Sequence, residues 1–185
     1  MSETLHNKLP DIFKQDTISL LPLCINEVPN RARQTFERIG SEITAQSVAL
    51  WALAHTNGDT SYISRVPGAI NDESVCEEDT LIVDTDGHNL VTGFCEMRYF
   101  ERFIGMPGLI KRPYVGYTRT IGPKKQGLGT RRLFVLNAYA RQTYGQPLYS
   151  GTHMEPEAIS LWDKLVVDGS AIKLPKDDEF KYRFI

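Results

Sequence analysis

The residues whose types and spacing point most directly to chemistry lie between Tyr114 and Phe134, centred on Lys124, Lys125, Gln126, Gly127, Leu128 and Gly129, with Thr130 and Arg131 behind them. Val115, Tyr117, Thr118, Thr120 and Ile121 favour a strand, Gly122-Pro123 stops it, and Gly129, Leu133, Leu136 and Ala140 recur at helical spacing. A glycine loop between strand and helix sets the unpartnered first-turn N–H groups, and the positive end of the helix dipole, beside backbone that carries no side chain. A phosphate-bearing cofactor can be bound there. Lys124, Lys125 and Arg131 add positive charge. A strand-to-helix turn that needs glycine only for backbone geometry and packing gives the same pattern.

Familiar nucleotide motifs are excluded by single residues. Gly122 and Gly127 have the spacing of an NTPase phosphate loop, but Leu128 stands where that loop needs its lysine. The dinucleotide fingerprint fails at Arg132, which occupies the place of its third glycine. Ser150 lacks the histidine and acid pattern of a serine hydrolase. Cys24, Cys76 and Cys95 are odd in number and widely spaced, which suggests neither a zinc site nor a disulfide framework, and no metal is expected.

The elements that must position the glycine loop belong to one domain. A chain of 185 residues with net charge -2, 41% hydrophobic and 24% charged residues has the composition of an ordinary globular protein. The basic pairs Lys111-Arg112, Lys124-Lys125 and Arg131-Arg132 cluster mostly at the glycine loop, so nucleic acid is not the expected partner. Without an apolar leader or a membrane-length apolar run, a cytoplasmic protein with no membrane partner is expected. The oligomeric state stays open, a dimer being one option.

Met1 to Asp16 are polar and expected to be loosely held, and Ile18 to Ile25 to form a strand in which Pro22 marks either a sheet edge or the strand's start. Asn30 and Gly40 bracket a helix, and Ser41 is expected to open a second one with Ile43, Leu50 and Ala54 on one side. Asp59 to Asp79, with Pro67-Gly68, reads as a long loop with at most a short strand. Asp86-Gly87 marks a hairpin between Leu81–Val83 and Leu90–Phe100. After a connection from Phe100 to Arg112 come the Tyr114 strand, the glycine loop and a helix ending near Gly145. Pro147 to Thr152 reads as a short strand, Glu155 to Val167 as an amphipathic helix, and Ala171–Leu174 with Phe180–Ile185 as a final strand pair.

This order resembles the GNAT superfamily of acetyl-coenzyme A-dependent N-acyltransferases. Lys124-Lys125-Gln126-Gly127-Leu128-Gly129 is similar to that family's cofactor loop, a Gln or Arg followed by x-x-G-x-G/A, with lysine in the first place. Glu155 to Val167, with Ala158, Leu161, Trp162 and Lys164, resembles its C-terminal helix pattern N-x-x-A-x-x-L-Y-x-K-x-G-F, with Glu155 for the asparagine and Trp162 for the tyrosine. The likeness covers about residues 80 to 185. It implies a single α/β (α+β) domain over 1–185, a mixed, mostly antiparallel central sheet flanked by helices, with the cofactor half at about 113–167.

The resemblance further implies an acetyltransferase in which an amine attacks the thioester of acetyl-coenzyme A directly. The acceptor would be a small amine or an amine on a protein. Backbone around Thr120 and Ile121 would orient the pantetheine arm, with amides from Gln126 through Gly127, Leu128 and Gly129 to Thr130 on the pyrophosphate. Glu96 is the first candidate for the base, given burial that raises its pKa, and Tyr117 and Tyr149 are the alternatives for carrying protons. His153 has a suitable ordinary pKa but can equally cap the next helix. In many members the tyrosine of the L-Y pair protonates the departing thiolate. The indole of Trp162 is too weak an acid, so another residue serves or none does, and the alternative is a non-catalytic binding or regulatory protein with a GNAT-like fold.

Overall fold

The computed structural model describes residues 17–22, 27–39, 49–67, 74–103, 111–121 and 127–185. In chain order these form β1 (Thr17–Pro22), α1 (Asn30–Ile39), β2 (Ala49–His55), β3 (Thr60–Pro67), β4 (Ser74–Thr85), β5 (Val91–Phe103), β6 (Arg112–Thr120), α2 (Leu128–Tyr144), α3 (Pro156–Val167), β7 (Ala171–Lys173) and β8 (Tyr182–Phe184). β1 to β6 make a six-stranded antiparallel sheet in which every strand pairs with its neighbour in sequence. β7 and β8 pair with each other. The architecture is mixed α/β with a largely antiparallel sheet and helices on both faces, as expected.

Turn chemistry fixes the register. At the β4–β5 turn Asp86 Oδ1 accepts the N–H groups of His88 and Leu90, both at 2.9 Å, holding the expected hairpin. At the β2–β3 turn Gly58 takes φ 87°, its N–H donates to the His55 carbonyl, and the Asn57 side chain bonds Asp59. Side chains then alternate across the sheet. Ile82, Cys95, Met97 and Val115 pack under α2 and α3 with Leu133, Leu136 and Trp162. Leu81, Val83 and Phe94 face the other way, onto Val28, Ala32 and Phe36 around α1.

Two expectations are corrected. A second helix carrying Leu50 and Ala54 is not formed: Ala49–His55 is β2, bonded between β1 and β3. The Asn57-Gly58 turn decides it, since a tight reversal right after His55 makes the preceding residues half of a hairpin, with Leu53 and His55 buried on one face. Ile43 and the rest of 40–48 lie outside the described residues. Likewise, Asp59 to Asp79 is not a long loop but contributes β3 and the start of β4. Ser61, Tyr62, Ile63 and Ser64 are all buried, so a strand covered on both faces shows no alternation of polar with apolar residues. Met1 to Asp16 lie outside the described residues. β1 is an edge strand, one of the two places expected for Pro22, which is its last residue; residues 23–26 lie outside the described residues.

Candidate functional site

β6 closes the six-stranded sheet, and one further stretch of chain meets its outer edge. The Val115 N–H donates to the Tyr149 carbonyl at 3.1 Å and the Tyr149 N–H to the Pro113 carbonyl at 2.8 Å, a parallel bridge between Tyr114 and Tyr149. Tyr149 also bridges antiparallel to Arg183, which ties β8 and β7 to the sheet. The expected strand from Pro147 to Thr152 is thus reduced to a single bridging residue. Among the described residues nothing pairs with the edge of β6 beyond Val115, and the two segments part.

The parting has a local cause. Glu96 opposes Tyr117 and Met97 opposes Val115, so Gly116 is an extra residue, a bulge that bends β6 at the point of separation. On the other segment, a Cβ at Gly151 would stand 2.8 Å from the Val115 carbonyl oxygen, so only glycine lets the chain turn away this closely. Further along β6, the Ile121 N–H donates to the Thr92 carbonyl. Antiparallel alternation then turns the backbone N–H and C=O groups of Thr118 and Thr120 away from β5, into the wedge.

A cavity of about 750 Å³ fills this wedge. One wall is β6 from Val115 to Thr120, another the start of α2 from Gly127 to Thr130 with Leu133, and the third runs from Gly151 and Met154 into α3 at Ala158, Leu161 and Trp162. Arg119, His153, Glu155, Glu157 and Lys164 supply charge or titratable groups at its rim. Gly127 caps α2 with φ 76°, a left-handed conformation suited to glycine, and among the described residues no side chain caps the helix. A Cβ on Gly127 would meet no described atom within 4 Å.

Of the residues singled out in the sequence, Thr120, Gly127, Leu128, Gly129, Thr130 and Tyr117 come together as cavity walls. Lys124, Lys125 and Gln126 lie outside the described residues. Ile121 is exposed and outside the wall. Arg131 turns away from the cavity: its Nη1 pairs with Asp59 Oδ2 at 2.9 Å in the β2–β3 turn. Tyr149 contributes backbone to the wedge, while its ring packs 5.4 Å from that of Phe180 and beneath the Arg112 guanidinium, which Asp178 holds by two hydrogen bonds. Ser150 is wholly buried and its Oγ accepts the N–H groups of Lys181 and Tyr182, a structural use.

Glu96 lies beside the Gly116 bulge, on the far side of the sheet from the wedge. Its Oε2 would lie 2.7 Å from a Cβ on Gly116, and its Oε1 accepts from Arg98 Nη2 at 3.1 Å. The carboxyl does not itself line the cavity; it reaches the bulge from the α1 face of the sheet. Burial pushes its pKa up, against the opposing pull of the Arg98 guanidinium, and nearby Asp79 adds to the rise.

A buried polar chain escapes a reading of the sequence. His55 Nε2 lies 2.9 Å from Ser61 Oγ, Ser61 Oγ donates to Asp84 Oδ1 at 2.6 Å, Arg132 Nη1 pairs with Asp84 Oδ2 at 2.9 Å, and Arg132 Nη2 donates to Thr120 Oγ1 at 2.6 Å. His55, Ser61, Asp84 and Arg132 are each at most 1% exposed. These residues come from β2, β3, β4 and α2, with Thr120 on β6. No motif joins positions so far apart in sequence; the only hint is an arginine in the first turns of a helix with Leu128, Val135 and Leu136 three and four residues away. Comparison of the chain with family models, curated proteins and solved structures gives no match in any of the three.

Proposed function

We propose that the protein is an N-acyltransferase that moves an acetyl group from acetyl-coenzyme A to an amine, with the cofactor lying in the wedge beside β6. The observation that carries this reading is the parting of β6 from the Tyr149 segment at the Gly116 bulge, which leaves a strand edge facing a cavity that ends at the start of a helix. The residues fit such a ligand. Backbone groups of Thr118 and Thr120 offer a donor and acceptor row for the amides of an extended arm. The first N–H groups of α2, at Leu128, Gly129 and Thr130, lack intrahelical partners and suit a pyrophosphate. Val115, Leu133, Met154 and Leu161 give the apolar contact that methylene groups require. Thr120 and Gly116 are four residues apart, at about 3.3 Å each along a strand, so an arm anchored at α2 would bring its thioester to the bulge.

Across the bulge, Glu96 would take a proton from the attacking ammonium, and its raised pKa suits a general base. Extended alignment of the two reactants would supply much of the rate. Tyr117 belongs to the cavity wall, its ring lies 5.7 Å from that of Phe94 on the same face of the sheet as Glu96, and it is the candidate donor to the departing thiolate. Trp162, in the same wall and only 2% exposed, favours a second reading: a coenzyme A-binding protein without turnover.

Calorimetric titration with coenzyme A, followed by a thiol-release assay with acetyl-coenzyme A and a panel of amines and peptides, tests both. Binding with turnover is the expected outcome. Binding without turnover selects the second reading, and no heat or thermal shift at millimolar coenzyme A overturns both.

A further inference from the structure

Hydrogen-bonding capacity fixes the direction of every proton in the buried chain that ends at Thr120. Arginine only donates, so Thr120 Oγ1, 2.6 Å from Arg132 Nη2, must accept there. Asp84 accepts from Arg132 on one oxygen and from Ser61 Oγ on the other, at 2.9 and 2.6 Å. Ser61 has spent its one proton on Asp84, so the 2.9 Å contact with His55 has Nε2 donating. The sequence of donors therefore runs His55 to Ser61 to Asp84, and Arg132 to both Asp84 and Thr120. Thr120 retains one hydroxyl proton, and among the described residues nothing accepts it. Its side chain lies on the α2 face, with Oγ1 3.9 Å from the Cβ position of Gly129, and Thr120 forms part of the cavity wall.

We infer that the Thr120 hydroxyl is a ligand-binding donor, aimed into the wedge by the Arg132–Asp84 pair, and that it takes a carbonyl or phosphoryl oxygen of the bound molecule. A hydroxyl rotor exposed to solvent chooses its own direction. This one is restricted, because a fully buried guanidinium occupies one lone pair and turns the proton away from Arg132. A donor already accepting a charge-assisted hydrogen bond is also polarised, which strengthens the bond it gives. Arg132 is thus a positioning residue, and Thr120 the group in contact. The inference rests on the coenzyme A reading of the wedge and names a side chain that serves it.

Calorimetric affinities of Thr120→Val and Thr120→Ser test it, with coenzyme A and with pantetheine as ligands. Valine keeps the shape and loses the proton, and coenzyme A should bind about 10-fold more weakly. Serine keeps the proton and should stay within about 2-fold of the wild type. A loss that persists with pantetheine assigns the bond to a carbonyl of the arm; a loss confined to coenzyme A assigns it to a phosphoryl oxygen. Should Thr120→Val prove unfolded by circular dichroism, Thr120→Cys, of similar size but a weak donor, is measured in its place and should show the same loss. Equal affinity of valine or cysteine variant and wild type overturns this inference and leaves the cofactor reading intact, whereas a wild type that binds neither ligand overturns both.

Discussion

The guanidinium of Arg132 occupies the space that a side chain on Gly93 would need. A Cβ built on Gly93 falls well inside contact distance of Arg132 Nη1 and 2.6 Å from the Arg119 carbonyl oxygen. Gly93 faces Asp84 on one side and Thr120 on the other, so its missing side chain is what lets a helix residue reach across β5. Gly93→Ala should therefore cost about 3 kcal/mol, from overpacking and from disturbing a buried ion pair, as read from urea midpoints. A loss under about 1 kcal/mol would mean that the guanidinium has another place to go.

Asp84 compensates the charge of Arg132 where water does not reach, both side chains being 0% exposed. Asp84→Asn leaves a guanidinium buried without a counter-charge and should destabilise by about 3–5 kcal/mol. Replacing the partners together, as Asp84→Leu with Arg132→Met, should recover part of that loss. By contrast Asp178→Asn, whose partner Arg112 is 37% exposed, should cost no more than about 1 kcal/mol.

What the sequence discloses follows the range of the interactions involved. The α2 start, the Asp86-Gly87 hairpin, the α3 stripe at Ala158, Leu161, Trp162 and Leu165, and the β7–β8 pair rest on residues close together in the chain, and all form as expected. β2 and β3 were obscured because alanine-rich Ala49–His55 fits either period and because Ser61 and Ser64 look like loop residues until their buried partners are known. The wedge follows from the Gly116 bulge, a register shift that only the pairing with β5 defines. The same holds for Arg131: adjacent arginines at a helix start look alike, yet one turns to Asp59 and the next to Asp84.

Glu96 should leave a mark on stability as well as on rate. Burial raises its pKa above the ordinary value of 4.5, the Arg98 guanidinium opposing and Asp79 reinforcing. A carboxyl with a higher pKa folded than unfolded contributes its full stability below the unfolded value and loses it as pH climbs through the native one. Glutamine has no proton to lose. The stability of Glu96→Gln relative to wild type should therefore become more favourable as pH rises above the ordinary carboxyl range, measured by denaturant titration. A flat or falling difference would show the Arg98 pairing outweighing burial. Under the acyltransferase reading the same variant should lower turnover about 10² to 10⁴-fold and remove the acidic limb of the rate profile.

Cys95 lies 0% exposed between Asp84, Glu96 and Arg132, and burial pushes its thiol pKa up to about 12. Almost no thiolate exists at mildly alkaline pH, and no reagent reaches the sulfur. Peptide mapping after alkylation of the folded protein should find Cys95 unmodified, and labelling should appear only with global unfolding. Labelling at low denaturant, ahead of the main transition, would reveal a local opening of β5.

Under the acyltransferase reading, cofactor binding and proton transfer should separate cleanly along the wedge. Gly129 faces the gap between α2 and α3, where a Cβ would lie 3.6 Å from Leu161 Cδ2, an ordinary contact. Gly129→Ala should therefore be nearly neutral for folding, with the gain in helix propensity worth up to about 1 kcal/mol. Gly129→Trp instead fills the wedge beside Thr120 and should weaken coenzyme A binding at least about 10-fold while the cooperative unfolding transition persists. Glu96→Gln, at the other end, should leave that affinity within about 2-fold and change only turnover. If Gly129→Trp binds coenzyme A as well as wild type, the ligand does not lie along β6, and the role of Glu96 at the bulge falls with it.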